Sequence, residues 1–342
     1  MIRLSRLQVK VIERIAATIP LALAVALAAF VLMRAIPGDP VDIMMGEGAS
    51  SSGEEVAALR AQLGLDEPIH RQLSSYLKRL FNGDLGYSIT RSRPVAEMIR
   101  EALPATIELA VYAILFALAL GIPVGVVSAL RHNTAFDRVS TAVSFIGISL
   151  PAFWLGIVGI LVFSMTLRWL PTSGRIPYGL EPRHITGLLT LDALLTGNMP
   201  AFGSALRHIC LPAVTLGLGV AAVIARITRS SMLDVLGSDF VLFARAKGVP
   251  ERAVTIRHAL RNAMIPTVTL VGLQFGSLLG GNMIVETIFG WPGLGRVVVD
   301  AIFARDYPVV QASVMVYALT FVMVNLITDL IYTVLDPKMA LQ

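Results

Sequence analysis

Long apolar stretches alternate with polar segments along most of this chain of 342 residues. Six of the stretches reach the roughly 20 residues that an α-helix needs to cross the hydrocarbon core of a bilayer. The pattern therefore predicts an all-α integral membrane protein with six transmembrane helices. The predicted spans cover residues 15–36, 104–128, 139–167, 209–228, 264–288 and 309–335.

The largest polar segment is residues 37–102, between the first two spans. Ser51 and Ser52 each precede a glutamate by three positions, which is the spacing of a capping box. Pro68 and Pro94 are placed to open two further helices. The insert contains no catalytic cluster, so we expect a small helical cap.

A second polar segment, residues 238–266, separates the fourth and fifth spans. Ser238 is placed to cap a helix that Gly248 ends, and Pro250 is placed in the first turn of another helix. We therefore expect two short helices that meet at an angle, with Gly248 as the elbow.

Apolar and basic side chains alternate in the first of these two helices. Phe240, Val241 and Phe243 lie close in sequence to Arg245 and Lys247. An exposed surface of this kind fits a groove on a soluble protein. The alternative is an interfacial helix that lies on anionic lipid, which the same composition permits.

Composition agrees with a membrane protein. Apolar residues make up 55% of the chain and charged residues 15%, whereas soluble domains contain about 25% charged residues. The mean hydropathy is +0.73 and the isoelectric point is about 9.6. A basic chain can bind nucleic acid, but basic loops at a bilayer surface give the same total charge.

The distribution of charge sets the expected topology. Residues 1–14, 129–138, 226–261 and 336–342 together carry 14 Lys or Arg and 6 Asp or Glu, while the remaining loops, counted with Arg34 at the end of the first span, carry 14 of each. The first set is about half as long, so its density of basic residues is about double. The positive-inside rule then places both termini in the cytoplasm, the insert outside and the 238–266 loop inside.

A cleaved signal peptide is the alternative reading of the N-terminus, where Arg3, Arg6, Lys10 and Arg14 precede the apolar stretch. Signal peptides have apolar regions of about 7 to 15 residues, whereas this one runs past 20 before Arg34. We therefore expect an uncleaved first span.

Glycines recur every fourth residue in the fifth span, at Gly272, Gly276 and Gly280. Such a stripe lets another helix approach closely, so it predicts a helix-packing face. The alternative is that glycine is simply common in membrane helices. We apply this alternative to the single GxxxG pair Gly121 and Gly125, which is therefore not predicted to be a packing face.

Three acidic residues fall within predicted spans: Glu108, Glu286 and Asp329. Intramembrane charge is costly and often functional, so a proton or ion relay is one interpretation. All three lie toward span ends, which equally favours ion pairing or snorkelling. Asn282 and Asn325 are candidate hydrogen-bond partners between helices.

No enzyme signature is present in the sequence: it lacks GxxxxGK[ST], HExxH and GxSxG. Gly217-x-Gly219 fits a dinucleotide fingerprint by letter but lies inside an apolar span. The five histidines are scattered and Cys210 is the single cysteine. We expect no catalytic residue, no cofactor and no metal site, so energy for transport must come from an ion or from a partner.

Several motifs resemble one known family. The segment from Ala244 to Gly248, followed by Arg257 to Asn262 and Ile265-Pro266, is similar to the EAA loop of bacterial ABC importer permeases of the dipeptide, oligopeptide and nickel branch. Further matches are Gly38-Asp39-Pro40, Leu63 to Asp66, Gly83 to Gly86, Leu103 to Thr106, Leu170 to Gly174, Arg229 to Leu233, Phe289 to Gly295, Arg305 to Pro308 and Asp336-Pro337.

Some positions depart from the general pattern of that loop. Leu242 stands in place of an acidic residue, Phe243 in place of the first alanine, and Arg261 where many permeases have proline. Loss of the acidic residue is typical of the peptide branch. The resemblance therefore implies a docking role for the segment as a whole, and not a specific contact for each of its side chains.

The resemblance implies a permease subunit in the bacterial inner membrane that imports di- or oligopeptides. Its implied partners are a homologous second permease, two cytosolic ABC ATPases, an external substrate-binding protein and membrane lipid, with no nucleic acid. ATP hydrolysis would reside in the partners. Nickel or another small solute is the alternative cargo, and an ion-coupled secondary transporter is the rival mechanism, although no inverted repeat is visible.

These expectations divide the chain into four parts: a cytoplasmic N-terminus with the first span (1–36), the external insert (37–102), a permease core (103–335) with a coupling loop (229–262), and a cytoplasmic tail (336–342). The residues expected to couple to the ATPases are Phe240, Val241, Phe243, Ala244, Arg245, Ala246, Lys247 and Gly248.

Overall fold

A computed structural model describes residues 19–31 and 66–335 of the chain. These residues are mostly helical, and no β-strand occurs among them. The helices are α1 (Ile19–Val31), α2 (Ile69–Phe81), α3 (Val95–Leu130), α4 (Ala135–Ser149), α5 (Ala152–Gly159), α6 (Leu189–Leu195), α7 (Met199–Leu236), α8 (Asp239–Ala246), α9 (Arg261–Gly281), α10 (Met283–Ile288), α11 (Leu294–Phe303) and α12 (Tyr307–Leu335).

Four helical segments are long and apolar enough to cross a membrane. They overlap the second, fourth, fifth and sixth predicted spans, with different bounds. The first predicted span contains the 13-residue helix α1, and the rest of its window lies outside the described residues. The qualifying segments are Val95–Leu130, Met199–Leu236, Glu251–Gly280 and Tyr307–Thr328.

The third predicted span is bent rather than straight. α4 and the helical segment Ala152–Thr166 meet at an angle of 100°. Pro151 precedes the second arm with extended backbone angles, φ −64° and ψ 133°, and it has no N–H to continue the ladder of α4. The bent pair adds a fifth crossing if both arms belong to one span.

Two long helices, α3 and α7, form the centre of the fold through a close glycine crossing. A Cβ at Gly121 would lie 2.7 Å from the carbonyl oxygen of Ala221, and one at Gly125 would lie 2.6 Å from that of Ala225. On α7, a Cβ at Gly217 would lie 2.7 Å from the carbonyl oxygen of Ala113. The expectation that Gly121 and Gly125 form no packing face is therefore wrong, because α3 and α7 approach each other most closely at this pair.

The predicted glycine stripe of α9 lies partly against α12. A Cβ at Gly272 would overlap the side chain of Thr328, and one at Gly276 would lie 2.9 Å from the ring of Phe321. No described heavy atom lies within 4 Å of the corresponding position at Gly280. The close contact is therefore made by two of the three glycines.

In the described part of the insert between the first two predicted spans, helices begin where the prolines predict. Pro68 is the N-cap of α2, and Pro94 is the N-cap of α3, which continues unbroken to Leu130. The segment between them is bound to the loop before α12, because Asp306 accepts hydrogen bonds from Ser88 Oγ at 2.5 Å and Thr90 Oγ1 at 2.8 Å. The helix predicted after Ser51 and Ser52 lies outside the described residues.

Candidate functional site

The loop after α7 carries the predicted docking helix, α8. Its Val241 and Ala244 are buried and pack with Val254 and with residues at the end of α7. On the remaining surface, Phe240 is 43%, Leu242 53% and Phe243 61% exposed. α8 is therefore fixed to the fold by a narrow apolar face, while three large apolar side chains remain uncovered.

The N-terminus of α8 differs in detail from the prediction. Ser238 occupies the N-cap position, but its hydroxyl makes no hydrogen bond to the helix. Instead, Ser238 Oγ donates to the carbonyl of Val235 at 2.5 Å. The serine therefore fastens α8 to the last turn of α7 rather than satisfying a free N–H group of α8.

Gly248 ends α8 in the left-handed conformation, with φ +76°. Its N–H donates to Arg245 O at 2.9 Å, and the N–H of Val249 donates to Ala244 O at 3.2 Å. This pair of bonds is a Schellman motif, which favours glycine. No described heavy atom lies within 4 Å of a Cβ at this position, so the requirement for glycine is conformational rather than steric.

The basic residues of α8 have local partners. Arg245 Nη2 lies 2.6 Å from Glu251 Oε1, and Lys247 Nζ lies 4.4 Å from the centre of the Phe243 ring. Ala246 is the last residue of α8. Beyond Pro250 the chain is helical through residues 251–253 and a π-helical segment, Val254–Leu260, into α9. The expected second short helix is therefore the first part of the fifth span.

An ion pair connects α7 to α4 near the same end of the bundle. Arg229 donates to both carboxylate oxygens of Asp137, from Nε at 2.5 Å and from Nη2 at 2.8 Å. Ser128 Oγ of α3 donates to the same carboxylate at 2.8 Å, and His132 Nδ1 lies 3.3 Å away. The sequence shows that Asp137 and Arg229 are charged residues at the ends of predicted spans. It does not show that they pair, because they are 92 residues apart.

Glu108 lies toward the opposite end of α3, and its side chain is 3% exposed. Its carboxylate accepts hydrogen bonds from the N–H and the hydroxyl of Thr190, both at 2.7 Å, and forms an ion pair with Arg175. The guanidinium of Arg175 also lies over the ring of Trp291, 5.5 Å from its centre. Glu108 is therefore a fully partnered structural charge.

The segment before α6 is folded around Asp192. Burial raises the pKa of its carboxyl group, but hydrogen bonds from Thr186 and from the N–H groups of Ile185 and Gly187 outweigh that effect and hold the pKa below its usual value. The ionised carboxylate thus orders the segment that presents Thr190 to Glu108.

Glu286 in α10 is completely buried. Its Oε1 accepts from Thr106 Oγ1 at 2.7 Å, and its Oε2 accepts from the N–H of Arg296 in the first turn of α11 at 3.1 Å. Thr106 Oγ1 in turn accepts from the N–H of Leu294 at 2.8 Å. The carboxyl group is therefore held by a hydroxyl and a backbone N–H, and no cation among the described residues forms an ion pair with it.

Other predicted polar residues are placed differently. Asn282 lies between α9 and α10 and donates from its side chain to the carbonyl of Leu278 in the preceding helix, α9. The side chain of Asp329 lies outside the described part of the structure. Within the described ranges, no group of three or more His, Cys, Asp or Glu side chains is arranged to hold a metal ion.

Comparison with known proteins identifies the family. The binding-protein-dependent transport system inner membrane component matches residues 121–341, and the N-terminal region of such membrane components matches residues 7–110. A dipeptide transport system permease protein of Escherichia coli (strain K12) is 44% identical over 331 residues, covering 96% of this chain and 97% of the relative.

Two further relatives are equally complete. A dipeptide transport system permease protein of Alkalihalophilus pseudofirmus is 42% identical, covering 95% of this chain and 97% of the relative. A glutathione transport system permease protein of Salmonella choleraesuis is 40% identical, covering 96% and 97%.

The fold is also similar to a solved structure, a chain of the inward-facing MetNI methionine ABC transporter. The TM-score is 0.50 at 16% identity, covering 70% of this chain and 96% of the solved one. This likeness concerns the fold alone, and the family rests on the matches above. The family that the sequence motifs resemble is thereby confirmed: the chain belongs to the inner membrane components of binding-protein-dependent transport systems.

Proposed function

We propose that this chain is the transmembrane permease subunit of an ATP-driven ABC importer, and that it carries di- or oligopeptides across the inner membrane. The named relatives support a peptide cargo, since two are dipeptide permeases and the third is a permease for glutathione, itself a tripeptide. The chain performs no catalysis in this proposal. Two cytosolic ATPases, a second permease and an external binding protein complete the transporter.

One observation carries the coupling role: the uncovered apolar surface of α8. Val241 and Ala244 hold this helix on the end of α7, while Phe240, Leu242 and Phe243 remain exposed. Burial of aromatic side chains in a partner's pocket is a typical source of interface affinity. We therefore infer that the ATPases bind α8, and that α8 transmits their closure to α7.

The proposed topology has six crossings with both termini in the cytoplasm. Its support is the doubled density of Lys and Arg in the segments that would face inward, which include the α8 loop. The described part of the insert and α11 then lie outside, where a binding protein delivers cargo. The substrate path runs between the two permeases.

Uptake into sealed vesicles tests the mechanism. Vesicles that contain the complete transporter, with its binding protein outside, should accumulate radiolabelled dialanine only when ATP is present inside. A protonophore or a sodium ionophore should leave the initial rate unchanged. Uptake that persists without the ATPases and collapses with the ion gradient would establish the rival ion-coupled mechanism instead.

Replacing Phe243 with aspartate should release the ATPases. The substitution places a charge in the proposed apolar contact, and loss of a hot-spot residue costs about 2 kcal/mol or more, which is roughly a 30-fold loss of affinity. Co-purification of the ATPases on tagged permease measures the effect.

Phe81→Asp is the matched control for that experiment. Phe81 is 83% exposed at the end of α2, in the proposed outer insert, so its replacement should leave ATPase recovery at the wild-type level. Normal recovery with Phe243→Asp would instead favour a helix that lies on the lipid surface.

A further inference from the structure

The contacts of Glu286 form part of a larger structure, which we call the outer joint: Thr106, Glu286, Trp291, Gly293 and Gly295. The carboxylate fits this site only because two neighbours lack side chains. A Cβ at Gly293 would overlap the carboxylate, and a Cβ at Gly295 would lie 2.8 Å from Glu286 Oε2. The loop that joins α10 to α11 is therefore shaped around this one carboxyl group.

Trp291 attaches the same loop to α3 by a second contact. The residue is 1% exposed, and its Nε1 donates to the carbonyl of Ala105 at 2.9 Å. Thr106 is the next residue of α3, so the indole and the carboxylate hold adjacent positions of that helix. Two adjacent hydrogen-bonded contacts between buried groups restrict hinge motion at the outer joint, because movement would leave a buried polar group without its partner.

α3 leads from the outer joint to the docking helix. Its glycine crossing with α7 brings the two backbones together, and the side chains of Phe116 and Ile224 pack directly against Gly217 and Gly121 at this crossing. Packing this close resists sliding of one helix past the other. α7 ends at Leu236, two residues before Ser238, and its last turn packs against α8. A continuous packed path therefore runs from the 289–295 loop through α3 and α7 to α8.

We propose that Glu286 and Thr106 are positioning residues that make the 289–295 loop move with α3, so that docking of the binding protein outside is signalled to the ATPases bound at α8. The inference rests on the proposed function, since that function supplies both partners. It assigns to the outer joint a role in coupling, rather than in binding cargo or in ATP hydrolysis.

The test compares basal and binding-protein-stimulated ATP hydrolysis by the complete transporter in nanodiscs. Thr106→Val removes the hydroxyl that Glu286 and Leu294 share, and Glu286→Gln replaces the carboxyl group with an amide of nearly the same size. Each variant should keep basal hydrolysis but lose stimulation by roughly 5-fold or more, the lower end of a typical coupling free energy. Thr106→Ser retains the hydroxyl, so this variant should show stimulation close to that of the wild type.

A control substitution separates coupling from general damage. Thr287→Val alters an exposed residue whose hydroxyl bonds only within its own helix, to Met283 O at 2.8 Å, so stimulation should remain at the wild-type level. Wild-type stimulation in both Thr106→Val and Glu286→Gln would overturn the inference. So would an equal fall of basal and stimulated rates in a complex that elutes intact from gel filtration, because that result indicates a purely structural role.

Failure of the proposed function gives a different result. A wild-type complex that purifies without ATPases, or whose hydrolysis does not respond to its binding protein, would overturn the function and the inference together. The variants distinguish the two cases because they are scored against a responsive wild-type complex.

Discussion

Gly125→Leu is expected to prevent normal assembly of the permease. At this position even a Cβ would lie 2.6 Å from the carbonyl oxygen of Ala225 and 2.7 Å from the Cβ of Thr228, so α3 and α7 must separate to admit the larger side chain. Overpacking of a well-packed core costs about 1–3 kcal/mol and sometimes more. Here the obstacle is backbone, which cannot move aside as a side chain can, so we expect the upper end of that range or beyond.

Size-exclusion profiles of the detergent-extracted protein measure the effect. Gly125→Leu should lower the monodisperse fraction and the temperature at which half of it is lost, and Gly125→Ala should lie between that variant and the wild type. Gly203→Leu is the control, because Gly203 lies in α7 with no described heavy atom within 4 Å of its Cβ position. Equal stability of the two leucine variants would contradict a central glycine crossing.

The parts of the fold that the sequence predicts are those with local causes. Pro68 and Pro94 mark helix starts because proline suits the first turn, and Gly248 marks a helix end because the Schellman motif favours a residue with positive φ. The apolar windows locate four of the spans because crossing a bilayer needs a minimum length. These signals are contained in a few neighbouring residues.

The candidate sites depend instead on contacts between distant residues. Glu108 meets Thr190 at a separation of 82 residues, and Glu286 meets Thr106 at a separation of 180. Hydrophobic periodicity shows that each acid lies near a span end, but it contains no information on which segment packs beside it. Tertiary packing alone decides whether such a carboxylate is paired, snorkels to water or lines a path.

Two backbone features are not resolved by the apolar windows. The third window, residues 139–167, predicts a span but not its bend at Pro151, because the apolar stretch continues across the proline. The Gly121 and Gly125 pair was discounted because glycine is common in membrane helices. In both cases the residues themselves, a proline and a pair of glycines, are visible in the sequence. Whether they bend a helix or form a close contact depends on how the neighbouring helices pack.

The network around Glu108 gives the second large effect, which is expected from Arg175→Gln. The substitution removes the only cation that contacts the Glu108 carboxylate among the described residues, and it also removes the cation–π contact with Trp291. Breaking one side of a buried ion pair typically costs 3–5 kcal/mol, because the remaining charge stays buried without compensation. The temperature of half-loss in the size-exclusion assay should therefore fall strongly.

Neutralising the other partner should recover most of that loss. Glu108→Gln keeps an oxygen that accepts from the Thr190 N–H and hydroxyl but carries no charge. The double variant Glu108→Gln/Arg175→Gln should then be more stable than Arg175→Gln alone, and the double-mutant cycle should give a coupling free energy within the 0.5–3 kcal/mol that contacting residues show. Arg296→Gln is the control, since this exposed arginine donates from its side chain to the Gly290 carbonyl at 3.2 Å and forms no ion pair with a described carboxylate. Strict additivity of the two single substitutions would show that Glu108 and Arg175 do not stabilise the N-terminal half of α3 as a pair.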